Sequence, residues 1–390
     1  MDATTSAPRV AVIGAGAFGG WTALHLQRLG ASVELIDAWG PGNARSSSGG
    51  DTRVIRAVYG ADRIYPELVR RAYPQWEALA AANAEPLYVE TGVLWFIRND
   101  DGYVRAAAPL LEELGFGLVH IPVDEAARRW PQISFDGVVT TWLERRAGAL
   151  FARRACIAVE ESFVREGGRV RRAHVRPGAI ANGAMHDVRA EDDERIEADL
   201  FVFACGPWLG RLFPELLGDA VRPTRQEVFY FGVPAGSERF RAGRFPIWLD
   251  LDERIFYGFP DLGGRGVKIA DDTRGEPIDP TTLDREPSAE GLARARARLG
   301  KLFPDLANAP LLSAEVCQYE NSPDGHLLVD RHPEAANVWV AGGGSGHGFK
   351  LSPAVGELVA RAIVDGEALP HGFALARLGK ANARTQFESR

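Results

Sequence analysis

Residues 338–353, V-W-V-A-G-G-G-S-G-H-G-F-K-L-S-P, carry an apolar strand, a glycine loop and a helix start near the C-terminal end of the chain. Gly342, Gly343, Gly344, Gly346 and Gly348 keep side chains out of the loop, which suits a place where a flat ring must lie against the backbone. Residues 352–363 then show helical spacing. The dipole at that helix start, aided by the charge of Lys350, would stabilise negative charge on the ring. A loop of the same kind stands at the opposite end of the sequence. Two such loops suggest one long dinucleotide, held at its nucleotide end by the first and at its reactive end by the second, hence FAD rather than NAD.

At the N-terminal end, residues 10–13 read as a strand, 14–19 as a glycine turn, 21–29 as a helix stopped by Gly30, and 33–36 as a second strand ending in Asp37. Gly14 closes the turn, Gly16 lets the backbone approach a pyrophosphate, and Gly19 lets the helix pack on its strand. Asp37, about 20 residues beyond the glycines, is placed for ribose hydroxyls. This setting makes the motif far more specific than three glycines alone.

Outward from these ends, residues 40–60 read as a loop rich in glycine, serine and arginine, lying near the cofactor. Helices are expected at 65–82, 106–114 and 151–166, the last with Cys156 on its apolar side. Strands are expected at 91–96, 137–142, 169–175 and 185–188, and a buried strand at 198–204 runs into C-G-P-W, a third candidate turn facing the cofactor. Between 221 and 303 the pattern becomes alternating strands, 228–231, 247–251, 255–259 and 266–270, before a charged helix at 289–302. The expected class is α/β (α+β): an FAD-binding Rossmann-type domain from 1–90, 148–220 and 318–390, and a discontinuous second domain from 91–147 and 221–317 on an antiparallel sheet.

Composition narrows the function. The 390 residues are 46% hydrophobic and 25% charged, with a net charge of −7 spread along the chain, so no basic stripe or polybasic run points to nucleic acid or lipid. A small-molecule partner and a monomer are the expectation. Three cysteines, Cys156, Cys205 and Cys317, have neither the pairing nor the spacing of a disulfide framework or a zinc site, so no metal is expected. The first nine residues lack the pattern of a secretory signal, and no apolar run approaches the roughly 20 residues of a membrane span, which together suggest a cytoplasmic protein.

Seven ordered segments carry a resemblance over nearly the whole length: G-A-G-A-F-G from Gly14, G-D-T-R-V-I-R from Gly50, T-G-V-L from Thr91, Y-G-F-P from Tyr257, V-K-I from Val267, V-C-Q-Y from Val316 and G-S-G-H-G-F-K from Gly344. In these the chain resembles the monomeric sarcosine oxidase family of FAD-dependent amine oxidases, which includes N-methyltryptophan and pipecolate oxidases. The resemblance implies that Cys317 is bonded to the flavin 8α-methyl carbon. Arg56 and Lys350 would hold the substrate carboxylate, and Lys268 would promote electron transfer to oxygen. Tyr319 and Tyr257 would line the substrate face, and Arg53 would lie close to the flavin. Phe18, Arg45, Ser48 and His347 count with the cofactor-binding residues, His347 as a support for the loop. By sequence alone Cys317 reads more readily as a small buried hydrophobe, Lys268 as the outer face of a half-buried strand, and the tyrosines as readily as ordinary aromatic packing.

The sequence departs from that family at two places. Where sarcosine oxidases have a histidine shortly after the oxygen-activating lysine, this chain has Asp272, with Asp271 beside it; where they have a histidine pair before G-D-T-R, it has Ser48 and Gly49. Asp272 could bind a second cationic group or a ring nitrogen, and Gly49 is expected to free space near the flavin. The resemblance therefore implies an FAD-dependent oxidase of an N-alkyl or cyclic secondary amino acid other than sarcosine. In such an oxidase hydride would pass to flavin N5, an imine would form, and O2 would be reduced to hydrogen peroxide. An Amadori-type or biosynthetic amino acid as substrate, a protein electron acceptor, and a non-catalytic redox-responsive flavoprotein are the alternatives.

Overall fold

The computed structural model describes residues 7–218 and 220–380. The N-terminal strand is Arg9–Ile13, with the burial of a strand covered on both faces, and the turn after it opens the helix Ala17–Arg28. Gly30, at φ +89°, ends that helix and leads into Ser32–Asp37. These strands lie at the centre of a six-stranded sheet in the order Leu328–Arg331, Val338–Gly342, Leu200–Phe203, Arg9–Ile13, Ser32–Asp37, Arg169–Arg172. All neighbours are parallel except Leu328–Arg331 with Val338–Gly342. Ile13 is level with Ile36 and Phe203, so three strands end together, and a ligand crevice belongs at those carboxyl ends. The C-terminal helix Ser352–Val364 crosses Ala17–Arg28 so closely that a Cβ on Gly356 would stand 2.7 Å from the backbone of Trp21.

A second sheet of eight strands holds both stretches assigned to the second domain. Its order is Leu311–Asn321, Arg222–Phe231, Val267–Asp271, Ile255–Phe259, Ile247–Leu251, Val93–Ile97, Thr140–Glu144, Leu118–Ile121. It is antiparallel except where Ile247–Leu251 runs parallel to Val93–Ile97, the junction at which the two separate stretches of chain meet. Period-two alternation divides its faces: Phe229, Phe231, Val267 and Ile269 bury against Phe303 and the helix Ala289–Leu302, while Tyr230, Tyr257 and Lys268 face the other way.

The structure also departs from the sequence pattern. The 40–60 segment is not all loop: Thr52–Ile55 is a strand in a small sheet with Gly148–Phe151 and Tyr88–Glu90. Arg53 interrupts the apolar pattern there, so the strand is identified by its partner rather than by alternation. The expected strand at 169–175 is two strands, Arg169–Arg172 in the first sheet and Val175–Pro177 in a separate one. The expected boundary between 317 and 318 falls inside the continuous strand Leu311–Asn321. Among the described residues no helix is long and apolar enough to cross a membrane, and no three His, Cys, Asp or Glu side chains group as metal ligands.

Candidate functional site

A cavity of about 410 Å3 runs along the carboxyl ends of the first sheet, within the range of small-molecule sites. Ile36, Asp37, Trp39 and His174 line one end; Gly14, Gly16, Phe18 and Ser48 line the middle; Arg53, Tyr319, Gly344, Gly346 and Gly348 line the other. The turn 205–208, expected to face the cofactor, contributes Cys205, Gly206, Pro207 and Trp208, and Ala204 before it also lines the cavity. A Cβ on Gly14 (φ +106°) would stand 2.4 Å from the Ala204 carbonyl oxygen, and one on Gly19 would stand 1.8 Å from that of Gly14. The glycines therefore hold the turn against strand and helix, leaving backbone exposed to the cavity. Asp37 accepts N–H groups from Ala15 (2.7 Å), Trp39 (2.8 Å) and Gly40 (2.6 Å). Of the roughly four acceptor positions of a carboxylate one is left, so Asp37 shapes its own turn as well as facing a ligand.

Two residues lining this cavity carry an orphaned oxygen: Ser47 Oγ and Glu320 Oε2 are buried and meet no partner among the described residues. Together with the glycine cradle they fit a polar, hydroxyl-rich dinucleotide, and FAD bound here would place its ring at the Arg53–Tyr319 end. Arg45 does not line the cavity; its guanidinium lies 5.3 Å over the ring of Trp39, which does.

Beyond Arg53 a cationic cluster surrounds Thr52. Arg53 donates to the Thr52 carbonyl (2.8 Å) and to the Ser47 carbonyl (2.6 Å), and Lys268 Nζ donates to the same Thr52 carbonyl (3.1 Å) and to its hydroxyl (3.2 Å). Lys268 is 1% exposed, with its ammonium 4.7 Å over the Phe259 ring. Burial first, and then Arg53, push its pKa down to about 8. Cys317 lies beside this cluster: a Cβ on Gly50 would stand 2.9 Å from Arg53 Nη1 and 3.5 Å from the Cys317 sulfur. Cys156 is buried and its thiol is pushed up to about 11 by burial, which keeps it inert.

Arg56 and Lys350 are both buried. Arg56 lies 4.7 Å over the Tyr59 ring and 5.3 Å from the Trp95 ring centre, and it donates to the Val58 carbonyl. Lys350 Nζ donates to the Tyr59 hydroxyl (3.1 Å) and the His347 carbonyl (3.0 Å), which leaves its third proton for a ligand. His347 Nε2 lies 2.8 Å from the Gly325 carbonyl, which only accepts, so the proton sits on Nε2. Nδ1 then accepts from the Tyr59 hydroxyl at 3.2 Å. Burial, with Lys350 adding to it, holds the imidazole pKa well below its ordinary value, in keeping with a neutral ring that fixes the loop. Burial and then Arg56 lower Lys350 well below the usual lysine range. A bound carboxylate would favour its charged form.

Asp272, not Asp271, faces this site. Tyr319 donates to Asp272 Oδ1 at 2.6 Å, whereas Asp271 is tied to Arg254 at 2.6 Å on the outside. Burial pushes Asp272 up to about 6, against the pull of Tyr319, Arg56 and Lys350. Tyr257 lies beside Tyr319, and its hydroxyl is raised by burial first and Asp272 second. The space expected at Gly49 is not there: a Cβ on it would stand 1.7 Å from the Asn43 carbonyl oxygen, because the 43–49 turn folds back on this residue.

Three residues of the site carry no sequence signal. Glu144 is fully buried and accepts the N–H of Ala57, next to Arg56; burial pushes it up to about 7, against Ala57 and Arg56. Tyr59 links Lys350 to His347. Glu320 lines the dinucleotide cavity. Each takes its meaning from a partner distant in sequence.

Comparison with known proteins bears on the family and the fold. A family model described as FAD dependent oxidoreductase matches residues 9–362. The chain is 31% identical over 371 residues to the monomeric sarcosine oxidase of Bacillus sp. (strain B-0618), with 92% of each chain covered. It is 30% identical over 356 residues to the N-methyl-L-tryptophan oxidase of Salmonella arizonae, covering 90% of this chain and 92% of the relative. Among solved structures it is similar to the L-proline dehydrogenase from P. horikoshii, with a TM-score of 0.84 at 21% identity over 97% of this chain and 100% of that one. The fructosamine oxidase Amadoriase II from Aspergillus fumigatus gives a TM-score of 0.79 at 22% identity, over 96% and 90%. At such identities the structural likeness speaks for the fold.

Proposed function

The chain belongs to the FAD dependent oxidoreductase family, as a relative of the monomeric sarcosine oxidases, and from that premise we propose that it oxidises a secondary amino acid, N-alkyl or cyclic, with O2 as electron acceptor. The observation that carries this reading is the pair of buried cations, Arg56 and Lys350, beside a buried acid, Asp272, and two tyrosines. Arg56 presents a planar fork and Lys350 a point charge to a substrate carboxylate. Asp272, held by the Tyr319 hydroxyl, accepts from the substrate nitrogen; it is this residue, not free space at Gly49, that argues for a substrate other than sarcosine. Tyr257 and Tyr319 close the aromatic side of the pocket.

When bound, FAD supplies the redox chemistry, taking a hydride equivalent from the substrate carbon and leaving a C=N bond. The protein positions the amine and excludes water. Lys268 supplies positive charge where two electrons and two protons convert O2 to hydrogen peroxide. Cys317, beside Arg53 and Gly50, is the thiol that would anchor the cofactor covalently. Glu144 acts by orienting the 56–58 backbone rather than by touching substrate. The panel that tests the reading is anaerobic bleaching of the flavin by sarcosine, proline, pipecolate, N-methyl aromatic amino acids and fructosyl amino acids. Bleaching by at least one secondary amino acid, followed by peroxide on admitting air, is expected. Reduction without peroxide would favour a protein acceptor, and no bleaching at all would favour a non-catalytic flavoprotein.

A further inference from the structure

We propose that Glu320 is a cofactor-binding carboxylate whose free oxygen accepts a hydroxyl group of the FAD ribityl chain. Glu320 follows Tyr319 on the strand Leu311–Asn321 and is 6% exposed. Its Oε1 accepts the Gly344 N–H at 2.8 Å, which fixes the side chain against the ring-side glycine loop. Glu320 lines the same cavity as Gly14, Gly206 and Gly344, and its buried Oε2 meets no partner among the described residues. Backbone closes in around it: a Cβ on Gly206, at φ +53°, would stand 2.9 Å from Oε2, and one on Gly344 would stand 3.2 Å from Oε1.

A buried carboxylate oxygen without a donor is costly, and native proteins seldom keep one unless a ligand or water satisfies it. Burial does push Glu320 up to about 7, with the Gly344 N–H acting against the rise. Its place in the cavity selects the donor. Asp37 and Trp39 mark the nucleotide end, the turn Gly14–Ala204–Gly206 marks the pyrophosphate, and Gly344 and Gly346 mark the ring. Glu320 stands between the second and the third. A pyrophosphate would be repelled by a carboxylate, whereas the polyol that joins it to the ring offers hydroxyl donors.

The test uses the full chain carrying Cys317→Ser, so that binding is reversible whatever the state of the thiol. Affinities of FAD and of analogues lacking one ribityl hydroxyl at a time are read from flavin fluorescence. One analogue is expected to bind about 10- to 100-fold more weakly than FAD. With Glu320→Met added, FAD and that analogue should bind alike, because the discrimination belongs to the pair. Equal binding of every analogue by the chain with Glu320 intact would overturn the proposal and needs no further variant; so would discrimination that survives Glu320→Met. A chain that binds FAD with this discrimination yet oxidises no amine would separate failure of the proposed activity from failure of this assignment.

Discussion

Lys268 is the residue on which the oxidase reading can be pressed hardest. Its pKa of about 8 keeps the ammonium protonated at neutral pH and deprotonates it as the pH rises, so oxygen reduction should slow through pH 8. Lys268→Met is expected to slow reoxidation by on the order of 10²-fold and to abolish that pH dependence, while reduction changes only a few-fold in stopped-flow traces. Equal slowing of both half-reactions would remove its role. Replacing Cys317 with Ser should render the flavin extractable by acid; if the flavin of the unaltered protein already comes off, the thiol is not its anchor. Little of this is visible in residue types alone. The alternation at 266–270 leaves Lys268 on an outward face, and its burial follows from the strand Thr52–Ile55, which covers it and is joined to it by no local pattern. Glu144 is likewise silent, since its backbone partner Ala57 lies 87 residues away.

At the scale of elements, the glycine turns and the helices they open were the legible part, because turn, strand and helix there are set by neighbours in sequence. Ala17–Arg28, Ile247–Leu251 and Ala289–Leu302 fall where the periodicity puts them or within a few residues. The segment 40–60 was not legible in the same way: its turn is closed by Asn43 and Ser46 bonds, and its strand exists through Gly148–Phe151. The 43–49 turn makes Gly49 a structural position, not a vacated one. Gly49→Ala should therefore lower the melting temperature and the flavin-to-protein ratio, at a cost of about 1–3 kcal/mol. Unchanged loading and melting would mean the turn relaxes freely.

In the whole molecule, the candidate site draws on both large sheets, with Gly14 and Gly344 following strands of the first and Lys268 and Tyr319 standing on the second, and the parallel junction between Ile247–Leu251 and Val93–Ile97 joins the stretches that build the second. Asp250, fully buried at that junction, lies 2.7 Å from Arg98 and 2.7 Å from Arg298 of the covering helix. Asp250→Ala leaves Arg98 and Arg298 with Asp252 as their remaining carboxylate and should destabilise the fold by up to about 3–5 kcal/mol, read from denaturant or thermal unfolding. The overall architecture was legible from two glycine loops at opposite ends; the parallel junction was not, since no local signal records which strands meet across 150 residues of chain. Arg56 and Lys350 are proposed to hold a substrate carboxylate over the flavin. This role is tested most directly by the anaerobic rate of flavin bleaching with a cyclic or N-alkyl amino acid against its decarboxylated amine, in the protein and in Arg56→Met. The amino acid should reduce the flavin at least about 10-fold more efficiently than the amine, and Arg56→Met should remove most of this advantage. Equal rates for the two compounds, or an advantage that persists in Arg56→Met, would contradict it.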